Sequence, residues 1–199
     1  SVVIPDGVTS IGNSEFSSCS SLTSVVIGDS VTSIGNSAFY KCTALTEIKY
    51  NATELADFSS GNSIFSYAGQ NGEGVTVTIG ANVKRIPAYI FWPSNSTSYV
   101  PKITKVEFED GSVCESIGAY AFYNCKQLDE VIINSPLYIS QQAFSYCDFE
   151  DFDFTNVTDI AYGAFRGCKN LTEIDLSNTG YIEDSAFENC TNLRNVTFS

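Results

Sequence analysis

The sequence predicts an α/β solenoid, a right-handed stack of short coils with one parallel sheet on its concave side and short helices on its convex side. Three observations lead to this fold class. Eight segments are near-copies of one another, most clearly residues 8–22 (VTSIGNSEFSSCSSL) and 31–45 (VTSIGNSAFYKCTAL). The copies recur about every 22 residues, a period that is typical of stacked repeats. Each copy also joins a strand-like segment to a helix-like one.

One phenylalanine marks each copy, and the eight are Phe16, Phe39, Phe65, Phe91, Phe122, Phe144, Phe165 and Phe187. Successive members lie 23, 26, 26, 31, 22, 21 and 22 residues apart, so the irregular copies carry insertions. Because stacked repeats share one core, we expect residues 1–199 to form a single array of eight coils plus the start of a ninth, irregular at about 51–104. Both ends fall inside a repeat, so we expect a fragment of a longer protein.

The strand of each coil is predicted from the pattern L-x-x-V-x-I, as in Leu22, Val25 and Ile27. Alternating apolar positions indicate a strand with one buried face. The same pattern begins again at Leu45, Leu128, Leu171 and Leu193. Each strand is reached by a full crossover of the same sense, so the strands should pair in parallel.

The helix of each coil is predicted from Ala38, Phe39, Cys42 and Leu45. Their spacing of 1, 3 and 3 residues places the four side chains on one helical face. The expected starts of these helices are near Gly35, Gly118 and Ala161.

Composition argues against several classes of function. The net charge is −13 with only ten lysines and arginines, which disfavours nucleic acid and anionic membrane surfaces. No apolar run approaches the roughly 18 residues of a membrane helix, so no membrane insertion is expected within this segment. The chain has no histidine to activate a nucleophile and no glycine-rich phosphate loop. We therefore expect no enzyme and no cofactor.

The seven cysteines fall on predicted core positions. Six follow a repeat phenylalanine by three residues, and Cys114 takes the place that Val31 holds in an earlier copy. We expect seven buried, free thiols that pack as small apolar groups. Disulfides between neighbouring coils are the alternative, because the Cα atoms there would lie roughly 5 Å apart. A zinc site would need four converging ligands, and no metal site is expected.

The repeat I-G-x-x-A-F-x-x-C-x-x-L-x-x-V-x-I resembles the BspA-like, or Treponema-type, subgroup of leucine-rich repeats. Six copies carry the F-x-x-C pair, whereas the third and fourth have Ala68 and Ser94 in place of cysteine. The resemblance implies a leucine-rich-repeat solenoid, a secreted or cell-surface location, and extracellular binding or adhesion. It supplies no catalytic residues.

Two insertions form the first candidate binding surface. The return to the strand is three residues longer after Phe65 and six longer after Phe91. Because both lie on the same connection of adjacent coils, residues 66–76 and 92–104 should project together, and we call them the edge lobe. A mixture of Tyr, Trp, Ser and Asn is typical of adaptable binding loops. The alternative is a lobe that only covers an irregular coil. The candidate binding residues are Tyr67, Trp92, Asn95 and Tyr99.

Outward strand positions of the C-terminal coils form the second candidate surface, the acidic strip. It consists of Glu130, Asp151, Asp153, Glu173 and Asp175. Strands about 4.8 Å apart would stack these carboxylates in a row. Such a row is either a solvated face or a surface for a basic partner. Calcium is a weaker alternative, because it needs six to eight oxygens converging on one point.

Together these features predict a non-catalytic module that binds or adheres to a host or microbial protein or matrix ligand. A glycan stacked on Trp92 and the tyrosines is a variant of that prediction. The alternative is a structural stalk whose repeats display another domain. Edge-to-edge self-association at the exposed repeat ends is a further interaction that such a stack permits.

Overall fold

The structure, a computed structural model, describes residues 1–93 and 99–199. All regular secondary structure in these residues is β-strand. In chain order the strands are β1 (Val2–Ile4), β2 (Ser10–Ile11), β3 (Ser24–Ile27), β4 (Ser33–Ile34), β5 (Glu47–Tyr50), β6 (Val75–Ile79), β7 (Arg85–Ile86), β8 (Ile103–Phe108), β9 (Ser116–Ile117), β10 (Glu130–Ile132), β11 (Leu137–Ile139), β12 (Val157–Ile160), β13 (Glu173–Asp175), β14 (Tyr181–Ile182) and β15 (Asn195–Thr197).

Parallel strands build two faces of the stack. The first face is a six-stranded sheet, β1-β3-β5-β6-β8-β10, and it resumes as the pair β13-β15. The second face is a five-stranded sheet, β14-β12-β11-β9-β7, together with the pair β2-β4. The expected parallel pairing is confirmed. The expectation of a single sheet was wrong, because the segment that ends at Ile34, at Ile117 or at an equivalent isoleucine forms a short strand of its own instead of starting a helix.

Equivalent residues of successive copies pair with one another across the first face. Val25 pairs with Ile48, which pairs with Val77, and the column continues through Val106 to Val131. All five side chains are buried. The sequence period therefore sets the register directly, since each copy places the same apolar position beside its neighbour.

The segment around each repeat phenylalanine is a chain of turns. In the second coil, the N–H groups of Ala38 and Tyr40 donate to carbonyl oxygens three residues earlier, at 3.3 and 3.1 Å. The N–H groups of Phe39 and Lys41 donate instead to carbonyl oxygens of the next coil, at 3.0 and 2.9 Å. Main-chain donors thus alternate between a local turn and the neighbouring coil.

The short helices expected near Gly35, Gly118 and Ala161 are therefore wrong for the residues that the structure describes. Ser37 and Lys41 have φ values of 59° and 58°, in the left-handed region that interrupts an α-helix. The spacing of 1, 3 and 3 residues misled the prediction because tight turns also bring residues three apart onto one side.

Left-handed residues recur two positions before and two positions after the repeat phenylalanine. These pairs are Ser14 and Ser18, Ser37 and Lys41, Tyr120 and Asn124, Gln142 and Tyr146, Gly163 and Gly167, and Ser185 and Asn189. Among these pairs, only that of the seventh coil uses glycine at both positions, where the left-handed conformation has no steric cost.

The eight repeat phenylalanines form a continuous stack through the core. Ring centroids of successive members lie 5.1–5.5 Å apart. The six inner rings are fully buried, whereas Phe16 and Phe187 are partly buried because each has a stacking neighbour on one side only. The aromatic stack and the flanking aliphatic columns make one apolar cluster along the coils.

All seven cysteines are free, and six are buried. Cys19 is exposed, so the expectation of seven core cysteines was wrong for this residue. It lies in the first coil, where a neighbouring coil covers it on one side only. Burial raises the pKa values of the Cys42 and Cys114 thiols to about 11. These two thiols are therefore protonated and poor nucleophiles at neutral pH.

Candidate binding surfaces

The two insertions of the edge lobe lie against each other. The N–H of Tyr67 donates to the carbonyl oxygen of Tyr99 at 3.1 Å, and their ring centroids are 4.8 Å apart. The side-chain amide of Gln70 donates to the carbonyl oxygen of Val100 at 2.8 Å. The ammonium of Lys102 donates to the carbonyl oxygen of Gly72 at 2.7 Å. Side-chain and main-chain bonds therefore join the insertions into one surface.

A cation lies beside Tyr67 of this lobe. Tyr40 packs edge-on against Tyr67 at 5.4 Å, and the ammonium of Lys41 lies 5.3 Å and 5.5 Å from the two ring centroids. Desolvation and the neighbouring hydroxyl of Tyr99 raise the pKa of Tyr67 to about 12. The phenol is therefore a neutral donor at physiological pH, on a surface that also carries a positive charge.

Trp92 belongs to a second group of rings. It lies 5.4 Å from Tyr89, 5.4 Å from Tyr120 and 4.5 Å from Tyr123. The indole is half-buried, and within the described residues its N–H has no hydrogen-bond partner. The structure thus brings Tyr67 and Tyr99 together but shows no ring contact between either of them and Trp92. Asn95 lies outside the described residues.

Of this second group, only Trp92 was predicted from the sequence. The other rings could have been found from their positions relative to the repeat phenylalanines. Tyr89 and Tyr120 both precede a repeat phenylalanine by two residues, and their rings stack at 4.8 Å. Trp92 and Tyr123 both follow one by a single residue. Tyr146 extends the group at 5.5 Å from Tyr123. We call the two ring groups together the aromatic band: Tyr40, Tyr67, Tyr89, Trp92, Tyr99, Tyr120, Tyr123 and Tyr146.

The acidic strip is interrupted at its centre. Glu130 lies in β10, and Glu173 and Asp175 lie in β13, as paired strands require. Asp151 and Asp153 lie between these strands in a segment that forms no ladder with either one. The expectation of a continuous row on paired strands was therefore wrong at these two residues.

Large aromatic side chains account for the interruption. Where the neighbouring coils have Val131 and Ile174, the sixth coil has Phe152. The buried Phe152 ring lies 5.5 Å from Phe144 of its own coil and 4.8 Å from Phe165 of the next coil. A phenylalanine ring is bulkier than the valine or isoleucine side chain at the same position, which disfavours the 4.7–4.9 Å strand spacing that ladder hydrogen bonds require.

Local hydrogen bonds favour the ionised form of two strip carboxylates, Asp153 and Asp175. The hydroxyl and the N–H of Thr155 bond the carboxylate of Asp153 and lower its pKa. Ser177 lowers the pKa of Asp175 in the same way. Glu130 has one nearby cation, Lys105 at 3.3 Å, which Glu107 shares at 3.0 Å. Asp153 and Asp175 thus stay negatively charged at neutral and mildly acidic pH.

The described residues contain no group of three or more histidine, cysteine, aspartate or glutamate side chains arranged to hold a metal ion. Residues 1–93 and 99–199 also include no helix of the length and apolarity that crossing a membrane requires.

Comparison with known proteins places these surfaces on a recognised scaffold. The family described as the BspA type leucine rich repeat region matches residues 1–98 and 93–199 in six copies. No curated protein sequence matches the chain.

Solved structures resemble the chain along nearly its whole length. A leucine rich cell surface protein from Faecalibacterium prausnitzii is 26% identical with a TM-score of 0.55, over 99% of this chain and 59% of that protein. A leucine-rich repeat protein from Bacteroides ovatus is 18% identical with a TM-score of 0.43, over 100% of this chain and 63% of that protein. The chain thus spans less than two thirds of the length of either relative. By its repeats and its family match, the chain belongs to the BspA-type leucine-rich-repeat family.

Proposed function

We propose that this chain is a non-catalytic module, secreted or at the cell surface, that binds a host or microbial protein or matrix ligand. The observation that carries the proposal is the edge lobe, where two insertions are joined by hydrogen bonds, Tyr67 packs against Tyr99, and Lys41 lies beside the Tyr67 ring. The relative from Faecalibacterium prausnitzii is described as a cell surface protein, which supports the location.

The contrast between regular and irregular coils supports the lobe as the contact surface. Regular coils are interchangeable parts of the scaffold, whereas inserted loops cost ordering entropy without adding to the repeat core. Tyrosine and tryptophan supply large contact areas with few rotatable bonds, and such residues dominate binding hot spots. Tyr99 is 36% exposed, and half-buried Trp92 retains accessible surface beside the same insertion.

An enzymatic role has little chemical support. Buried cysteines lack a histidine that would activate them, and the surface carboxylates lie on an open face. A stalk is the competing proposal, and it predicts that no surface substitution alters binding. A glycan ligand is a variant of the leading proposal in which the aromatic band supplies the stacking surfaces.

The test is a double variant, Trp92→Ala/Tyr99→Ala, assayed for binding to fixed epithelial cells and to an immobilised extracellular-matrix extract. The matched control is Tyr162→Ala/Tyr181→Ala, which removes two exposed rings outside the aromatic band. We expect the first variant to lose at least about tenfold in affinity and the control less than about twofold. Equal binding by both folded variants and the unmodified chain would support the stalk.

A further inference from the structure

The first face of the stack has a gap at the sixth coil. β10 pairs only with β8, and β13 pairs only with β15, so each presents an unpaired edge toward residues 150–154. Burial alternates along this segment, with Phe152 and Phe154 inward and Asp151 and Asp153 outward. The segment therefore follows an extended path, but its main chain is not tied to the strands beside it.

Two clefts flank this unpaired segment. One has a volume of about 400 Å³ and lies toward β10, with Glu130, Asn134 and Asp153 in its lining. The other has a volume of about 460 Å³ and lies toward β13, with Asp153, Glu173 and Asp175 in its lining. Each is of the size that small-molecule or side-chain groups occupy in binding sites.

The clefts offer hydrogen-bond acceptors and negative charge. Among the described residues, the carbonyl oxygens of Asp151, Phe152 and Asp153 accept no hydrogen bond. The carboxylates of the acidic strip surround them, and neither cleft has lysine or arginine in its lining, although Lys105 pairs with Glu130 at 3.3 Å. Lysine and arginine side chains carry only donors and a positive charge, so they complement such a lining most closely.

We propose that the two clefts receive two basic side chains, at positions i and i+2, of an extended partner segment that runs along the stack. Alternate residues of an extended chain project to the same side, roughly 6.6–6.8 Å apart. The clefts lie on either side of the same coil, so an extended segment that runs along the stack passes both of them. This inference rests on the proposed binding function and adds the chemistry of its partner.

A second copy of this chain is a poor candidate for the occupant, because its own net charge of −13 would repel the strip. A free polyamine would complement the negative charge of the clefts, but it has no side chains at positions i and i+2. The test therefore compares a peptide with arginine at alternate positions, a peptide of the same composition with the arginines adjacent, and spermidine.

Binding of the two peptides to the chain is measured by fluorescence, and binding of spermidine by competition. Each measurement is made at low and at physiological salt. The variant is Asp151→Asn/Asp153→Asn, and the matched control is Glu54→Gln/Asp110→Asn, which removes the same charge at exposed positions outside both clefts. We expect the alternating peptide to bind at least about fivefold more tightly than the adjacent one. The variant should weaken it at least about tenfold, and the control less than about twofold.

A variant that keeps all the carboxylates tests whether peptide binding depends on the gap at the sixth coil. Phe149→Leu/Phe152→Val restores the residue types of the regular coils, so the segment should approach its neighbours and narrow the clefts. We expect weaker peptide binding although the carboxylates remain, with folding checked by a melting curve.

Three results would overturn the proposal: equal weakening by the Asp151/Asp153 and Glu54/Asp110 pairs, equal affinity for the two peptides, or spermidine binding as tightly as the alternating peptide. Failure here leaves the proposed module standing if the Trp92/Tyr99 variant still loses cell or matrix binding.

Discussion

The thiol of Cys147 donates a hydrogen bond of 3.2 Å to the main-chain carbonyl oxygen of Phe122, one coil earlier. The same bond links Cys42 to Phe16, Cys168 to Phe144 and Cys190 to Phe165, at 3.1–3.2 Å. The repeat cysteine is therefore more than a small apolar filler. Its thiol ties each of these coils to the preceding one, beside the ring that forms the aromatic stack.

These bonds and the burial of the thiols predict the pattern of cysteine reactivity. Under native conditions a thiol reagent should label one cysteine per chain, Cys19, because it alone is exposed. Denaturation without reductant should release all seven. The check is a thiol count by absorbance, repeated on Cys19→Ser, which should lose the fast label. Any fast thiol in that variant would contradict the burial, and fewer than six thiols after denaturation would reveal a disulfide.

Phe165 should carry a large part of the local stability. Its ring packs between Phe144 at 5.5 Å and Phe187 at 5.4 Å, and it also contacts Phe152 and Phe154. Phe165→Ala should lower the free energy of unfolding by about 3–5 kcal/mol, from lost burial plus an unfilled cavity. Urea titration measures this value.

The control for that substitution is Phe16→Ala. Phe16 is only partly buried and stacks on one ring, so the loss should be clearly smaller. An unchanged midpoint for Phe165→Ala would contradict the stack as a source of stability.

Gly163 should resist substitution because its backbone is left-handed. Its φ is 61°, and an added Cβ would lie 3.2 Å from the Cγ of Gln142. Gly163→Ala should cost at least about 1 kcal/mol of stability. Gly61→Ala is the matched control, since Gly61 lacks a positive φ and its nearest neighbouring atom is 4.0 Å away. That control should stay within about 0.5 kcal/mol. Equal effects in thermal melts would argue against the turn geometry.

Asp57 should make a small, pH-dependent contribution to stability. Desolvation opposes the shift, but bonds from the N–H of Ala88 and the guanidinium of Arg85 lower its pKa in the folded chain. A lowered folded pKa stabilises the fold above the unfolded value near 3.9, and this contribution disappears as pH falls through the folded value. The pair is half-exposed, so the effect should be below about 1 kcal/mol.

Asp57→Asn isolates that charge because it keeps an oxygen acceptor. The variant should be less stable than the unmodified chain at pH 6, and the difference should shrink as the pH falls below about 4. Urea titrations at several pH values measure it. A difference that stays constant down to pH 2.5 would mean that the ionisation of Asp57 plays no part.

The sequence allowed the repeat period, the parallel pairing and the apolar columns to be predicted, because each depends on residues repeated in register. The prediction of helices failed because Ala38, Phe39 and Cys42 have the same spacing in successive turns as they would have in a helix. The left-handed residue Lys41 gives no compositional signal, because lysine rarely adopts that conformation.

The candidate surfaces were predicted only in part, because many of their contacts join residues of different coils. The lengths of the two insertions predicted that they would project together from one edge, and in the structure Tyr67 of one lies beside Tyr99 of the other. Stacking of Tyr89 on Tyr120 follows from their shared position in the repeat and required a comparison of coils rather than of neighbours in sequence. The gap beside Phe152 depends on ring volume against strand spacing, which the alternating pattern alone does not express.

The central claim is that a ligand binds where the repeat is irregular. The most direct test measures, side by side, the cell- and matrix-binding isotherms of the unmodified chain, Trp92→Ala/Tyr99→Ala, Asp151→Asn/Asp153→Asn and the Tyr162→Ala/Tyr181→Ala control. We predict a loss of at least about tenfold in one or both of the first two variants and less than about twofold in the control. Four superimposable isotherms from folded proteins would contradict the claim and favour a stalk.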